Sequence, residues 1–424
     1  MGLRKRWVTS LAGTLAFFLL GCAPSEKGGA LRGAVVFKHG KVAGDPQRLE
    51  ALLRQFERET GIAVKDETLP ASTDQQHQFY VINLEGRSSD FDVLSMDVIW
   101  VPEFARAGWL KDVSHLVPEQ DRSAFFPGPM HAVTYRGRLY AVPWYIDAGL
   151  LYYRKDLLDR YGAVPPETWQ DLVAVARAIM EKEGVYGYIW QGKQYEGLVC
   201  NVLEFLWGNG GAVLENGRVV IDSPRNVEAL GFMRDLIVKY EVSPALVTTA
   251  MEEQTRHIFG NGRALFMRNW PYAWNIFERE GSPVKGKVGV GPLPSFVNGR
   301  SLSALGGWQL GVNAFAKRPE EAEELIRFLT RRETQRTLAL TLGYKPTRTS
   351  LYTDGALTAK QPFLAGLYPI FMKARPRPVT PYYMMISQVM QPEFSAALSG
   401  IRTPQEALES ARKQVEHILG QEVP

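Results

Sequence analysis

The chain has 424 residues and is poor in cysteine, in histidine and in net charge. Each shortage excludes something. Two cysteines, Cys22 and Cys200, leave no room for a disulfide framework. Six scattered histidines include no H-E-x-x-H spacing and no Cys/His cluster, so no metal ligand set is expected. The formal charge is only +4, and no basic run lies outside the extreme N-terminus, which argues against a nucleic-acid partner. Internal repeats and low-complexity tracts are absent. Neither a G-x-S-x-G elbow nor a G-x-G-x-x-G fingerprint stands between a strand and a helix. The stretch Gly281-Ser282-Pro283-Val284-Lys285-Gly286-Lys287 imitates a phosphate loop, but Val288 stands where a hydroxyl residue would hold Mg²⁺. A strand follows it, so no helix N-terminus faces a phosphate. No cofactor is expected. What remains is a soluble-type composition, 45% apolar and 22% charged, with material for about two domains.

The N-terminus reads as a targeting segment. Arg4-Lys5-Arg6 precedes a mostly apolar run from Trp7 to Leu20, shorter than the ~20 residues of a comfortable membrane span. Leu19-Leu20-Gly21-Cys22 then resembles a bacterial lipobox. The expectation is a signal peptide over 1–21, lipidation at Cys22 and a polar tether over 22–33. Cleavage removes three positive charges, leaving a nearly neutral body whose membrane affinity comes from lipid chains. Cys200, in the apolar run Leu198 to Leu203, is expected to be a small core residue of a helix.

Helix signals punctuate the rest. Leu49, Leu52, Leu53 and Phe56 keep helical spacing and stop at Gly61. Thr168 to Asp171 and Thr403 to Glu406 read as capping boxes; Ser223-Pro224 and Pro319-Glu320 open further helices. Short strand candidates lie between them, at Ala34–Lys38, Phe91–Ser95, Leu150–Tyr153, Ala264–Met267, Val288–Val290 and Leu310–Val312. The alternation predicts an α/β architecture. Pro292–Gly307 and Lys373–Tyr383 read as long loops, which in compact proteins are usually functional.

Aromatic rings stand beside carboxylates several times over. Asp97 ends an apolar strand. Asp147 follows Trp144 and Tyr145. Trp270, Tyr272 and Trp274 follow another strand, Gly306-Gly307 precede Trp308, and Arg377 precedes Tyr382-Tyr383. Each has a plainer reading: Asp97 as a helix cap, Trp270 as core, the two glycines as a turn. Together they suit a sugar. Flat rings cover its C–H face, carboxylates and Arg bind its hydroxyls, and glycines let backbone groups approach. Ligands in α/β sheets lie beyond the carboxyl ends of strands, where Asp97 and Trp270 sit.

The runs Tyr145-Ile146-Asp147-Ala148-Gly149-Leu150-Leu151-Tyr152-Tyr153-Arg154-Lys155-Asp156-Leu157 and Asn269-Trp270-Pro271-Tyr272-Ala273-Trp274 resemble those of the trehalose/maltose-binding proteins of ABC sugar importers. The likeness extends from about Val36 to Leu419. It implies a two-lobed periplasmic-binding-protein fold, each lobe a sheet flanked by helices, joined by about three crossovers. The expected lobes are 34–148 with 300–355, and 149–299 with 356–424. The resemblance also implies an extracytoplasmic, membrane-anchored, monomeric binding protein, not an enzyme, that passes an α-linked disaccharide to a permease. Ligand-contacting positions carried over are Asp97, Tyr145, Asp147, Trp270, Tyr272, Gly306, Gly307, Trp308 and Arg377. Where the family has an acid this chain offers Asp45 or Gln47, and where it has an arginine, Gln76 or His77, so the preferred disaccharide is open. A longer oligosaccharide or another polar solute is the alternative. A secreted glycosidase using Asp97 and Asp147 is the remote one.

Overall fold

A computed structural model describes residues 32–421; the signal segment, Cys22 and most of the tether lie outside the described residues. Among the described residues, no helix is long and apolar enough to cross a membrane. Ten strands build two sheets: β1 Arg32–His39, β2 Ile62–Thr68, β3 Val93–Asp97, β4 Val142–Ala148, β5 Leu150–Arg154, β6 Tyr186–Ile189, β7 Ala264–Asn269, β8 Val288–Gly291, β9 Leu305–Val312 and β10 Lys345–Pro346. The first lobe holds a six-stranded sheet in the order β10-β4-β9-β3-β1-β2, and the second a four-stranded sheet in the order β8-β5-β7-β6. β1 is parallel to β2 and β3, while β9 runs antiparallel to both β3 and β4. This is the two-lobed periplasmic solute-binding fold.

Local chemistry explains the elements. The helix Gln47–Thr60 buries Leu49, Leu52, Leu53 and Phe56 and ends at Gly61 with φ 72°, a left-handed cap that glycine adopts without strain. Thr168 and Asp171 exchange the two bonds of a capping box at the head of Trp169–Glu183, and Thr403 with Glu406 do the same for Pro404–Gln421. β3 and β7 are buried along their whole length, as strands covered on both faces must be. Gly306 and Gly307 lie inside β9 instead of in the expected loop. The connection shortens to Pro292–Ala304 because backbone pairing with β4 begins at Leu305.

The chain passes between lobes at three places, and they are tied together. Gly149 separates β4 from β5, and its carbonyl accepts the Ser303 hydroxyl at 2.7 Å. Leu305 N–H donates to the Arg375 carbonyl at 2.8 Å, and Arg375 N–H to the Ser303 carbonyl at 2.9 Å. Glu204, buried in the second lobe, accepts from Ala304 N–H at 3.1 Å and from the Arg268 guanidinium at 2.6 and 2.9 Å. A Cβ on Gly149 would lie 1.9 Å from the same carboxylate, so only glycine fits there.

The third passage is not where the sequence suggested. The helix Leu364–Lys373 buries Leu364, Leu367 and Phe371 against the first lobe, with the Phe371 ring 5.8 Å from Phe126 and 5.9 Å from Tyr352. The resemblance sets the expected boundary at 355/356; this helix lies beyond it, yet its apolar stripe finds its cover on the first lobe.

Candidate ligand cleft

Cross-strand partners in a sheet share a face. Trp308 on β9 stands opposite Asp97 on β3 and Tyr145 on β4, and Gly306 stands opposite Asp147. Three antiparallel strands thus bring Asp97, Trp308, Tyr145, Asp147 and Gly306 side by side. The pairing is irregular just after Trp308, and Gly307 has φ 110°. Its carbonyl accepts from Val98 N–H at 3.3 Å, and a Cβ there would meet the Tyr145 carbonyl at 2.4 Å. Only glycine allows that conformation and that approach.

The opposite wall comes from the second lobe. Trp270 follows β7 directly, with its backbone N–H on the Asn269 side chain and its carbonyl held by the buried Tyr152 hydroxyl. The Arg268 guanidinium lies 3.9 Å from the Trp270 ring centroid, backing the ring with a cation. The two walls enclose about 690 Å³, within the usual range of small-molecule sites. Trp274 of the second lobe meets Phe363 at 4.5 Å between rings.

At the base stands Arg377, on the third passage. Its guanidinium donates to Asp97 of the first lobe at 2.6 Å and to Glu196 of the second lobe at 2.8 Å. Glu196 also accepts from Tyr383 at 2.7 Å and from the Ser387 hydroxyl. Burial raises the Glu196 carboxyl above its ordinary range against these donors. Two carboxylates thus occupy the fork of Arg377, and the triad joins both lobes through one cation.

Asp147 differs. It is half-buried, and no hydrogen bond or ion pair reaches its carboxylate among the described residues. Burial pushes its pKa up to about 8; Lys345 and Arg268 oppose the rise and Asp97 adds to it. Lys345, behind it on β10, is fully buried, donates to Gln361 at 2.8 Å, and is pushed down to about 7 by the same burial.

All nine main sequence-predicted positions line this cavity. The lower-ranked ones divide. Gln76 lines it, with its amide N–H on the Pro70 carbonyl at 2.7 Å. His77 does not: it packs between Trp100 and Phe104 and bonds Glu103 at 2.8 Å, because the next residue of a helix faces about 100° away. Asp45 does not either; its carboxylate caps Gln47 N–H at 3.2 Å and pairs with Arg48. Tyr145 stacks on Tyr344 at 4.1 Å, so one of its faces is already covered. Trp144 packs behind it in the core, 5.8 Å from Phe37. Cys200 is buried on the helix Glu196–Gly208, where burial drives its thiol far above the ordinary range.

Sequence reasoning missed Tyr195, Glu196, Glu252, Glu253 and Tyr344, which all line the cavity. The adjacent acids Glu252-Glu253 were the available signal, but at the start of a helix they read as dipole partners.

Comparison with known proteins agrees with the two-lobed fold. A family model described as bacterial extracellular solute-binding protein matches residues 41–336. A probable ABC transporter-binding protein of Deinococcus radiodurans is 39% identical, over 85% of this chain and 86% of its own. Among solved structures, maltose-bound MalE3 of T. maritima is 44% identical, covering 91% of this chain and all of its own, with a TM-score of 0.88. An ABC transporter solute-binding protein of Thermotoga lettingae, bound with α-D-tagatose, is 28% identical over 92% of this chain and all of its own, with a TM-score of 0.82.

Proposed function

The chain belongs to the bacterial extracellular solute-binding proteins, and from that premise we propose that it captures an α-linked disaccharide of the maltose, trehalose or sucrose kind in the cleft and delivers it to an ABC permease. The observation that carries this reading is the pairing of opposite walls. Asp147 is a carboxylate with open acceptor capacity, and across the cavity Trp270 is a flat ring with a cation on its far face. Hydroxyls donate to the first while a C–H face lies on the second. The maltose ligand of the MalE3 relative supports a disaccharide. In this reading Asp97, Tyr145, Asp147, Trp270, Tyr272, Trp308 and the backbone of Gly306 and Gly307 contact the sugar directly. Arg377 acts with them, through its paired fork. The protein works as a monomer outside the cytoplasm, anchored by lipid at Cys22.

A monosaccharide is the second reading. The α-D-tagatose bound to the Thermotoga lettingae relative favours it. Glycoside hydrolysis needs two available carboxyl groups flanking one bond, and Arg377 already holds Asp97.

Calorimetry with maltose, trehalose, sucrose, glucose and tagatose tests the proposal. One-to-one binding of a disaccharide with a negative heat-capacity change supports it. Preference for a monosaccharide moves the reading to the second form. Release of glucose from the bound disaccharide would refute a pure binding role.

A further inference from the structure

The second-lobe wall holds three rings with polar handles, and consecutive acids hold all three. Glu252 opens the helix Glu252–Gly260. Its Oε1 accepts from the Trp270 indole N–H at 3.2 Å, and its Oε2 accepts from the buried Tyr195 hydroxyl at 2.7 Å. Glu253 accepts from the Tyr272 hydroxyl at 2.8 Å and pairs with Arg256. The rings come from two stretches of chain: Tyr195 precedes the helix Glu196–Gly208, while Trp270 and Tyr272 follow β7. Backbone continuity therefore does not set Tyr195 against Trp270.

We infer that Glu252 is a positioning residue that sets the Trp270 and Tyr195 rings in one arrangement and uses up their donors, so that this wall presents the ligand with apolar faces. The inference rests on the sugar reading above and names the device that prepares its platform. Trp270 is then held twice, at its edge by Glu252 and underneath by Arg268. A carboxylate accepts at both oxygens, one for each ring. An amide replaces it only in part. Gln at this position offers one acceptor oxygen, and its NH₂ group only donates, so Trp270 keeps a partner only if the NH₂ group turns to Tyr195, whose hydroxyl must then accept and frees its proton. Hydroxyl recognition is left to Asp147, Asp97 and the β9 backbone on the facing wall. A ring that rotates freely must be ordered at the moment of binding, and affinity falls by that cost.

Glu252→Gln and Glu252→Ala, made in the full chain, test this with two readouts. The first needs no ligand: the indole ¹⁵N–¹H spectrum of tryptophan-labelled protein, with the Trp270 signal assigned by Trp270→Phe. Both variants are expected to shift that signal and speed its exchange with solvent, while the other indole signals stay in place. The second is calorimetry with maltose, where Glu252→Ala is expected to bind about tenfold to a hundredfold more weakly, the factor one charge-assisted hydrogen bond carries. An unmoved Trp270 signal overturns the inference. So does a moved signal with unchanged affinity. If the wild type binds no sugar, the reading of the cleft fails, and the spectra still decide whether Glu252 holds the ring.

Discussion

The two walls of the cleft are built from similar residues and differ in what they leave open. The first-lobe wall is a sheet surface, where β3, β9 and β4 place Asp97, Trp308, Tyr145 and Asp147 by strand register. Its backbone is rigid and its Asp147 carboxylate is open. The second-lobe wall is assembled from chain ends around β7, and side-chain bonds from Glu252, Glu253 and Arg268 do the positioning that register does opposite. One wall is preorganised by backbone pairing and offers polar atoms. The other is preorganised by side chains and offers faces. Between them Arg377 binds one carboxylate from each lobe.

The largest effect is expected from the shared base. Arg377→Ala strands Asp97 and Glu196 as buried charges, and breaking such a pair costs about 3–5 kcal/mol. Urea unfolding should show that loss. A change below about 1 kcal/mol, the scale of exposed ion pairs, would mean that solvent already screens the triad.

On the second wall, Trp270→Ala should weaken sugar binding by about 2 kcal/mol or more, as truncated aromatic anchors do. Unfolding should change little, because the ring is half-buried. A variant that unfolds instead would make Trp270 core and erase the contrast between walls.

Asp147→Asn tests the first wall, and pH sharpens it. The folded-state pKa of Asp147 is raised to about 8, so below that pH the carboxyl of the empty cleft holds its proton. Hydroxyl donors favour the ionised form, so binding releases the proton and affinity should rise from pH 6 toward pH 8. Lys345, pushed to about 7, loses its charge over the same range and tempers the rise. Calorimetry in buffers of different ionisation enthalpy should detect the released proton. Asp147→Asn should remove it and cost about 1.5–3 kcal/mol, the range for a hydrogen bond to a charged group. A pH-independent wild type would contradict an ionisable acceptor at this wall. The smallest effect belongs to His77→Gln, which lies off both walls: sugar affinity should stay within twofold by calorimetry, and a larger loss would put the residue back in the cleft.

Much of the first wall was legible in the sequence because strands end where apolar runs end. Asp97 and Asp147 sit at or beside such ends, Trp308 lies within β9, and the pairing of β9 with its neighbours does the rest. Capping boxes at Thr168 and Thr403 were legible for the same reason, being local. The partners of Arg377 were not. Its fork closes on residues 280 and 181 positions away, a distance at which no spacing rule operates. The roles of Glu252 and Glu196 were hidden likewise, since an acid at a helix start has a sufficient local explanation. His77 and Asp45 show the converse. Neighbourhood in sequence suggested the cleft, and one step of helical rotation or one capping bond took each away.

The most direct test of the two-wall account is a crystal structure of the protein grown with maltose. The account predicts one sugar ring with its C–H face on Trp270 and a hydroxyl within about 3 Å of the Asp147 carboxylate, the ordinary reach of an O–H···O bond. Maltose bound with the Trp270 face uncovered, or with Asp147 pointing only at protein, would contradict it.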